Sequence, residues 1–95
     1  MFTHIMVGTN DPAKAKQFYD AALGALGVAP GANFNGRVFY SGAGGNFGVG
    51  TPANGDAATY ANGGTIGFVA ADKDQVDAWH AAGLANGGTC EGEPG

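Results

Sequence analysis

His4 is the residue of this 95-residue chain best placed to do chemistry, because it stands near the start of a short strand-like run, residues 2–7. An imidazole there could ligate a transition metal, contact a bound molecule or act as a base. One histidine does not make a metal site, since such a site needs three or more converging protein ligands. Three roles therefore stay open for His4: metal ligand, contact or base toward a bound molecule, and hydrogen-bonded residue lining a cleft.

The other reactive side chains carry less information. His80 falls in a helical segment, where a surface position is expected. Cys90 has no Lys, Arg or His beside it in the sequence to activate its thiol, so we interpret it as structural or incidental. Asp56, Glu91 and Glu93 stand in Gly-containing loop or tail segments, where a carboxylate is usually solvated.

The composition excludes several classes of protein. The net charge is −4, and the four basic residues are scattered, which argues against a nucleic-acid or anionic-membrane surface. One cysteine permits no intramolecular disulfide, which fits a reducing compartment. No apolar run approaches the roughly 20 residues of a membrane helix, and the first residues lack the basic start of a signal peptide. We expect a cytoplasmic, single-domain protein that binds neither nucleic acid nor membrane.

The elements that must position His4 follow from the periodicity of the chain. After the first strand, Asp11 and Pro12 suit a helix N-cap and first helical position, and Gly27 suits the helix end. Between them, apolar residues recur at spacings of three and four, which predicts an amphipathic helix. Residues 37–41 and 47–51 read as a hairpin, with one more possible strand at residues 28–34.

The same order recurs 61 positions later. Residues 65–70 read as a strand, Asp72 with Gln75 predicts a second helix N-cap, and residues 86–88 end that helix. Residues 89–95 are the beginning of another strand or a tail. The repeat predicts an α+β fold within one domain, residues 1–95. Module one would span residues 1–61 and a partial module two residues 62–95, with no counterpart of the hairpin in the second.

These residues resemble a known family. The pattern H-I-x-V-x-x-x-D-x-x-x-A-x-x-F-Y-x-x-x-L-G, residues 4–24, is similar to the opening of the vicinal oxygen chelate superfamily, which includes glyoxalase I, the bleomycin-resistance proteins and extradiol dioxygenases. Residues 64–69 and the run V-D-A-W-H-A-A-G at residues 76–83 resemble the opening of that family's second module. The resemblance implies tandem βαβββ modules that form a curved mixed sheet around a cleft, the second module being incomplete in this chain.

The resemblance also implies a place for a metal. In metal-dependent members the first and last strands of each module supply His, Gln or Glu ligands, and His4 matches the first of these positions. Thr65 occupies the matching position of the second copy, and threonine is a poor ligand for zinc, nickel or iron. No acidic residue occurs in residues 47–51, where another ligand would stand. The ligand set of this chain is therefore expected to be incomplete.

We thus expect a protein that binds a small molecule in a cleft, without a complete metal site. The ligand would be a small aromatic or cationic molecule, and the net charge of −4 favours a cationic one. Strand alternation puts Phe39 and Tyr40 on opposite faces and leaves open which strand aromatics are core. The cleft-lining candidates are His4, Phe39, Tyr40, Phe47 and Thr65.

Other functions stay open from the sequence. The alternative is a metal-dependent, glyoxalase-like lyase or extradiol dioxygenase in which His4 is one ligand of a divalent zinc, nickel or iron ion. A third reading is a fragment without activity of its own, completed by a partner chain. A homodimer is expected, both from the resemblance and from the open sheet edge that an incomplete second module would leave.

Overall fold

The computed structural model describes residues 1–92 and 94, and shows two helices and four strands in that part of the chain. In chain order the elements are β1 (His4–Gly8), α1 (Pro12–Gly24), β2 (Ala32–Phe34), β3 (Arg37–Gly42), β4 (Gly45–Gly50) and α2 (Lys73–Ala85).

The four strands form one mixed sheet in the order β1-β4-β3-β2. β1 runs parallel to β4, and the β3–β4 and β2–β3 pairs are antiparallel. The chain leaves β1, crosses through α1 and returns as three consecutive strands. This βαβββ module confirms the predicted α+β fold, including the additional strand predicted within residues 28–34.

The hydrophobic core lies between α1 and one face of the sheet. Leu23 of α1 packs there with alternate residues of the central strands, namely Val38, Tyr40, Phe47 and Val49. Each of these side chains is at most 7 % exposed. Because neighbouring strand residues point to opposite faces, the residues between them in the sequence lie on the face that α1 does not cover. We call this second face the open face.

Both ends of α1 form as the local sequence predicts. The Asp11 carboxylate accepts a hydrogen bond from the Lys14 backbone N–H at 3.1 Å, and Pro12 is the first helical residue. At the other end Gly27 has φ 87°, and the Val28 N–H reaches back to the Leu23 carbonyl at 3.0 Å. This Schellman arrangement needs a left-handed residue, which glycine adopts without steric cost.

The second helix repeats the first in length and in N-cap. Asp72 accepts from the Gln75 N–H at 2.9 Å, and α2 begins 61 positions after α1. The two helices pack side by side where the Phe18 ring lies against Gly83 and Gly88. In the described chain, neither helix has the combination of length and apolar character needed to cross a membrane.

The predicted strand at residues 65–70 does not join the sheet. A strand needs a neighbour to receive its backbone hydrogen bonds, and within residues 1–92 and 94 no strand pairs with this segment. Phe68 instead packs edge-on against Phe47, with ring centroids 5.2 Å apart. Residues 89–92 also form no strand, and Glu93 and Gly95 lie outside the described residues.

Candidate functional site

The open face has a floor of glycine along its central strand β4. Gly48 and Gly50 alternate with the core residues Phe47 and Val49, so no side chain rises from β4 at these two positions. Both glycines are nevertheless buried, because side chains from the neighbouring strands lie over them. The sequence G-N-F-G-V-G thus gives β4 one apolar face for the core and one almost bare face.

Residues of β1 and β3 wall this floor. Strand register places Met6 and Phe39 on either side of Gly48, and a Cβ added at Gly48 would come within 2.9 Å of Cε1 of the Phe39 ring. A Cβ at Gly50 would meet Cγ of Arg37 at 2.7 Å. Met6, Phe39 and Arg37 can therefore lie over β4 only because residues 48 and 50 have no side chain.

Side chains of β1 and β3, together with Gly50, line an open cleft of about 730 Å³, whose lining also includes residues 51–54 and 56–59. Gly48 lies beneath Met6 and Phe39. Asn10 anchors that loop to the chain just after β1, since its side-chain oxygen accepts from the Ala58 N–H at 2.6 Å and its amide donates to the Ala58 carbonyl at 3.3 Å. The volume falls in the range of small-molecule sites.

The charged groups of the cleft are unevenly engaged. Asp56, in the loop, accepts a hydrogen bond from the Asn54 amide at 3.2 Å. Arg37, at the start of β3, is exposed and has no ion pair or hydrogen-bonded side-chain partner within the described chain. His4 lies at the opposite end of the strands, and its Nδ1 is hydrogen-bonded to Thr3 Oγ1 at 2.9 Å, which leaves Nε2 for a ligand.

The structure separates the five residues that the sequence suggested as cleft lining. His4 and Phe39 line the open-face cleft. Tyr40 and Phe47 face α1, where they are 2 % and 7 % exposed, and with His4 they border a second, more apolar cavity of about 460 Å³ beside residues 66–69. Thr65 is exposed and lines neither of these two cavities.

The residues around His4 do not fit a transition-metal site. Across the sheet its register neighbours are Asn46 and then Ser41, neither of which is a strong ligand for such an ion. Within residues 1–92 and 94, no three His, Cys, Asp or Glu side chains are grouped so that they could hold a metal ion. A metal bound by His4 would therefore need ligands from outside the described residues of this chain.

A polar cluster behind the sheet was not predicted from the sequence. One oxygen of Asp20 accepts from the Tyr40 hydroxyl at 2.7 Å and from the Gly31 N–H at 2.9 Å, and the other accepts from Lys16 Nζ at 2.6 Å. The four-residue spacing of Lys16 and Asp20 could have indicated their ion pair. The contact with Tyr40 spans 20 residues, and no local pattern signals it.

These contacts shift two pKa values in opposite directions. Burial alone would raise the pKa of Asp20, but the hydrogen bonds from Lys16, Gly31 and Tyr40 outweigh it and hold that pKa below its ordinary value. Burial, together with the negative charge of Asp20, raises the pKa of Tyr40 well above its ordinary value. Tyr40 is therefore a neutral donor to an ionised carboxylate, which ties β3 to α1.

A second unpredicted contact joins His80 and Cys90. His80 Nε2 lies 3.2 Å from the Sγ of Cys90, within hydrogen-bonding distance of a thiol. His80 is half-buried and Cys90 is exposed. The two residues are ten positions apart, so adjacency in the sequence could not reveal the contact, and neither lines the open-face cleft.

The βαβββ module and its open face define a class of protein, and comparison gives its name. The sequence matches the Glyoxalase/Bleomycin resistance protein/Dioxygenase superfamily over residues 1–95, so the chain belongs to that superfamily, as the sequence resemblance predicted. A crystal structure of a glyoxalase/bleomycin resistance protein from Albidiferax ferrireducens T118 is 54 % identical and superposes with a TM-score of 0.96, covering 100 % of this chain and 77 % of that chain. No protein of curated function matches the sequence.

Proposed function

We propose that this chain binds a small organic molecule in the open-face cleft, and that His4 contacts this molecule rather than a metal held by the chain alone. The observation that carries the proposal is the open-face cleft, which Met6, Phe39 and Arg37 line where the bare positions of β4 make room for them. The lining combines apolar side chains such as Met6 and Phe39 with polar groups that can orient a ligand, as small-molecule sites do. The superfamily includes bleomycin-resistance proteins by name, which supports a binding role.

Ligand titration followed by amide NMR tests this proposal. The probes are three compounds of similar shape: phenylacetate, phenylacetamide and 2-phenylethylamine. Binding in the cleft should shift the amide signals of β1, β3 and β4, because residues of these three strands line the cleft. If no probe at any ratio moves these signals, the proposal is wrong.

A filled floor provides the matched variant. Gly48→Val should abolish these shifts, because its side chain would push Phe39 and Met6 into the cleft. Gly24→Ala is the control, since a Cβ at Gly24 meets nothing within 4 Å and the residue lines none of the described cavities. Binding that survives Gly48→Val unchanged would place the ligand elsewhere.

The second candidate is a metal-dependent lyase or dioxygenase, and the state of the His4 ring is what favours it. A metal-ligating histidine commonly has its other ring nitrogen hydrogen-bonded, as Nδ1 of His4 is to Thr3. The remaining ligands would have to come from a second copy of the chain. Elemental analysis of the purified protein tests this candidate: one zinc, nickel or iron per chain or per dimer, lost in His4→Ala, would support it, and no bound metal would retire it.

We further propose that the protein is a cytoplasmic homodimer. The single cysteine of the sequence is a free thiol in the structure, which fits a reducing compartment. β1 and β2 are the two edges of the sheet, and an exposed edge can pair with another chain.

A further inference from the structure

We propose that the ligand of the open-face cleft is an organic anion with a flat apolar part: its carboxylate would bind Arg37 and its apolar part would lie against Phe39. This inference rests on the proposed function, because it names the chemistry of the molecule that occupies the same cleft. It runs against the cationic ligand that the net charge of the chain suggests.

Arg37 differs from two other basic side chains in having no partner. Lys16 is paired with Asp20 at 2.6 Å, and Lys73 is paired with Asp77 at 2.8 Å. Arg37 forms no ion pair and no side-chain hydrogen bond with any residue that the structure describes, yet it lines the cleft. A planar guanidinium with five N–H donors is suited to bidentate recognition of a carboxylate.

Strand pairing fixes the position from which the Arg37 side chain projects. Arg37 is paired directly with Gly50, and its side chain runs over the space that a Cβ at Gly50 would need. Its stem therefore packs on the cleft floor while its head group stays exposed. The absence of a side chain at Gly50 is what lets the arginine lie along the floor.

Phe39 supplies the apolar contact at a matching distance. It stands two residues after Arg37 on β3, so both side chains project from the same face, about 7 Å apart along the strand. Met6 adds apolar surface from β1, opposite Phe39 across Gly48. An aromatic or similarly flat group placed here would set an attached carboxylate within reach of the arginine.

The acidic residue of the cleft does not pair with Arg37. Asp56 is the acidic residue in the described lining, and its carboxylate is hydrogen-bonded to the neutral amide of Asn54 and forms no ion pair with Arg37. The remaining acidic residues of the described chain line other surfaces. Because water and salt screen charges beyond about 10 Å, a carboxylate held directly by Arg37 responds to that contact more than to the total charge of −4.

The three phenyl probes test this inference, because they differ in charge while keeping a similar shape. At neutral pH we expect phenylacetate to bind about tenfold more tightly than phenylacetamide, and 2-phenylethylamine to bind more weakly still. Arg37→Gln should remove the advantage of phenylacetate over the amide and leave the weak binding of the amide unchanged. Lys14→Gln is the matched control, since it removes the same charge from an exposed position outside the cleft.

The possible results distinguish failure of the anionic ligand from failure of the proposed small-molecule cleft. Equal affinities for the three probes, or an advantage of phenylacetate that survives Arg37→Gln, would overturn the anionic ligand while leaving a small-molecule cleft in place. Binding of the amine in preference to phenylacetate would do the same. The absence of cleft shifts with every probe would overturn both proposals together.

Discussion

The Tyr40 hydroxyl joins β3 to α1 through its hydrogen bond to Asp20 at 2.7 Å. The ring of Tyr40 is buried under α1. Tyr40→Phe keeps the ring and removes the donor. We expect it to lower the free energy of unfolding by about 1 kcal/mol, as for a typical lost hydrogen bond. Urea denaturation measures this, and a variant as stable as the parent would show that the bond contributes nothing.

Asp20 predicts how stability depends on pH. The pKa of Asp20 is lower in the folded chain than in the unfolded chain, where an aspartate has a pKa of about 3.9. The carboxylate therefore stabilises the fold above that unfolded value, and this contribution is lost as the pH falls through the lower folded value. Asp20→Asn should be less stable than the parent near pH 6, with the difference shrinking below about pH 4.

Urea denaturation across this pH range measures that difference, and Asp74→Asn in α2 is the control for the same chemical change. Asp74 stands in the first turn of α2 and takes no part in the Asp20 cluster. A gap between Asp20→Asn and the parent that stays constant down to pH 2, or one that Asp74→Asn reproduces, would contradict the assigned role.

At the scale of residues, strand alternation was informative but incomplete. It correctly placed Phe39 and Tyr40 on opposite faces of β3, as their different burial shows. It could not say which face α1 covers, because both faces of β3 carry an aromatic residue. Gly48 and Gly50 were the signal that the sequence interpretation overlooked. They leave one face of β4 without side chains, which indicates that the core lies on the other face.

Among the elements, the C-terminal end of α1 has two glycines whose replacement by alanine should change stability in opposite directions. Gly27 has φ 87° and closes the Schellman end, so Gly27→Ala should destabilise the protein by about 1 kcal/mol. Gly24 is the last helical residue, and a Cβ there meets nothing within 4 Å. Gly24→Ala should therefore stabilise the protein by roughly 0.5 kcal/mol. Thermal unfolding of both variants checks the pair, and equal effects would contradict the assigned helix end.

Elements defined by local signals were predictable, and elements that depend on distant partners were not. The N-caps Asp11 and Asp72 and the β3–β4 hairpin rest on residues close in sequence, and the structure confirms all three. Residues 65–70 have the composition of a strand, but a strand exists only with a hydrogen-bonded neighbour. Composition alone could not show that this neighbour is missing from the described chain.

For the whole molecule, the two helices of the repeat differ in what covers their apolar side chains. α1 packs against β3 and β4, whereas the described chain places no sheet against α2. Ile66, Trp79 and Leu84 are accordingly 37–44 % exposed, and Val69 is 90 % exposed. Removing apolar surface of this kind from water is favourable by roughly 25 cal/mol per Å². Only what exceeds the entropic cost of association stabilises a dimer.

We therefore expect the α2 side, rather than the sheet edges β1 and β2, to form the contact of the proposed homodimer, with a mass that rises with concentration in sedimentation equilibrium. Trp79→Glu should weaken the association at least about tenfold, because it places a charge in the apolar surface that Trp79 shares with Ile66. Tyr60→Glu is the control, since Tyr60 is 86 % exposed in a loop and outside this surface. A parent chain that stays monomeric at every concentration would contradict the expectation, and a dimer indifferent to Trp79→Glu would move the interface to the open edges β1 and β2.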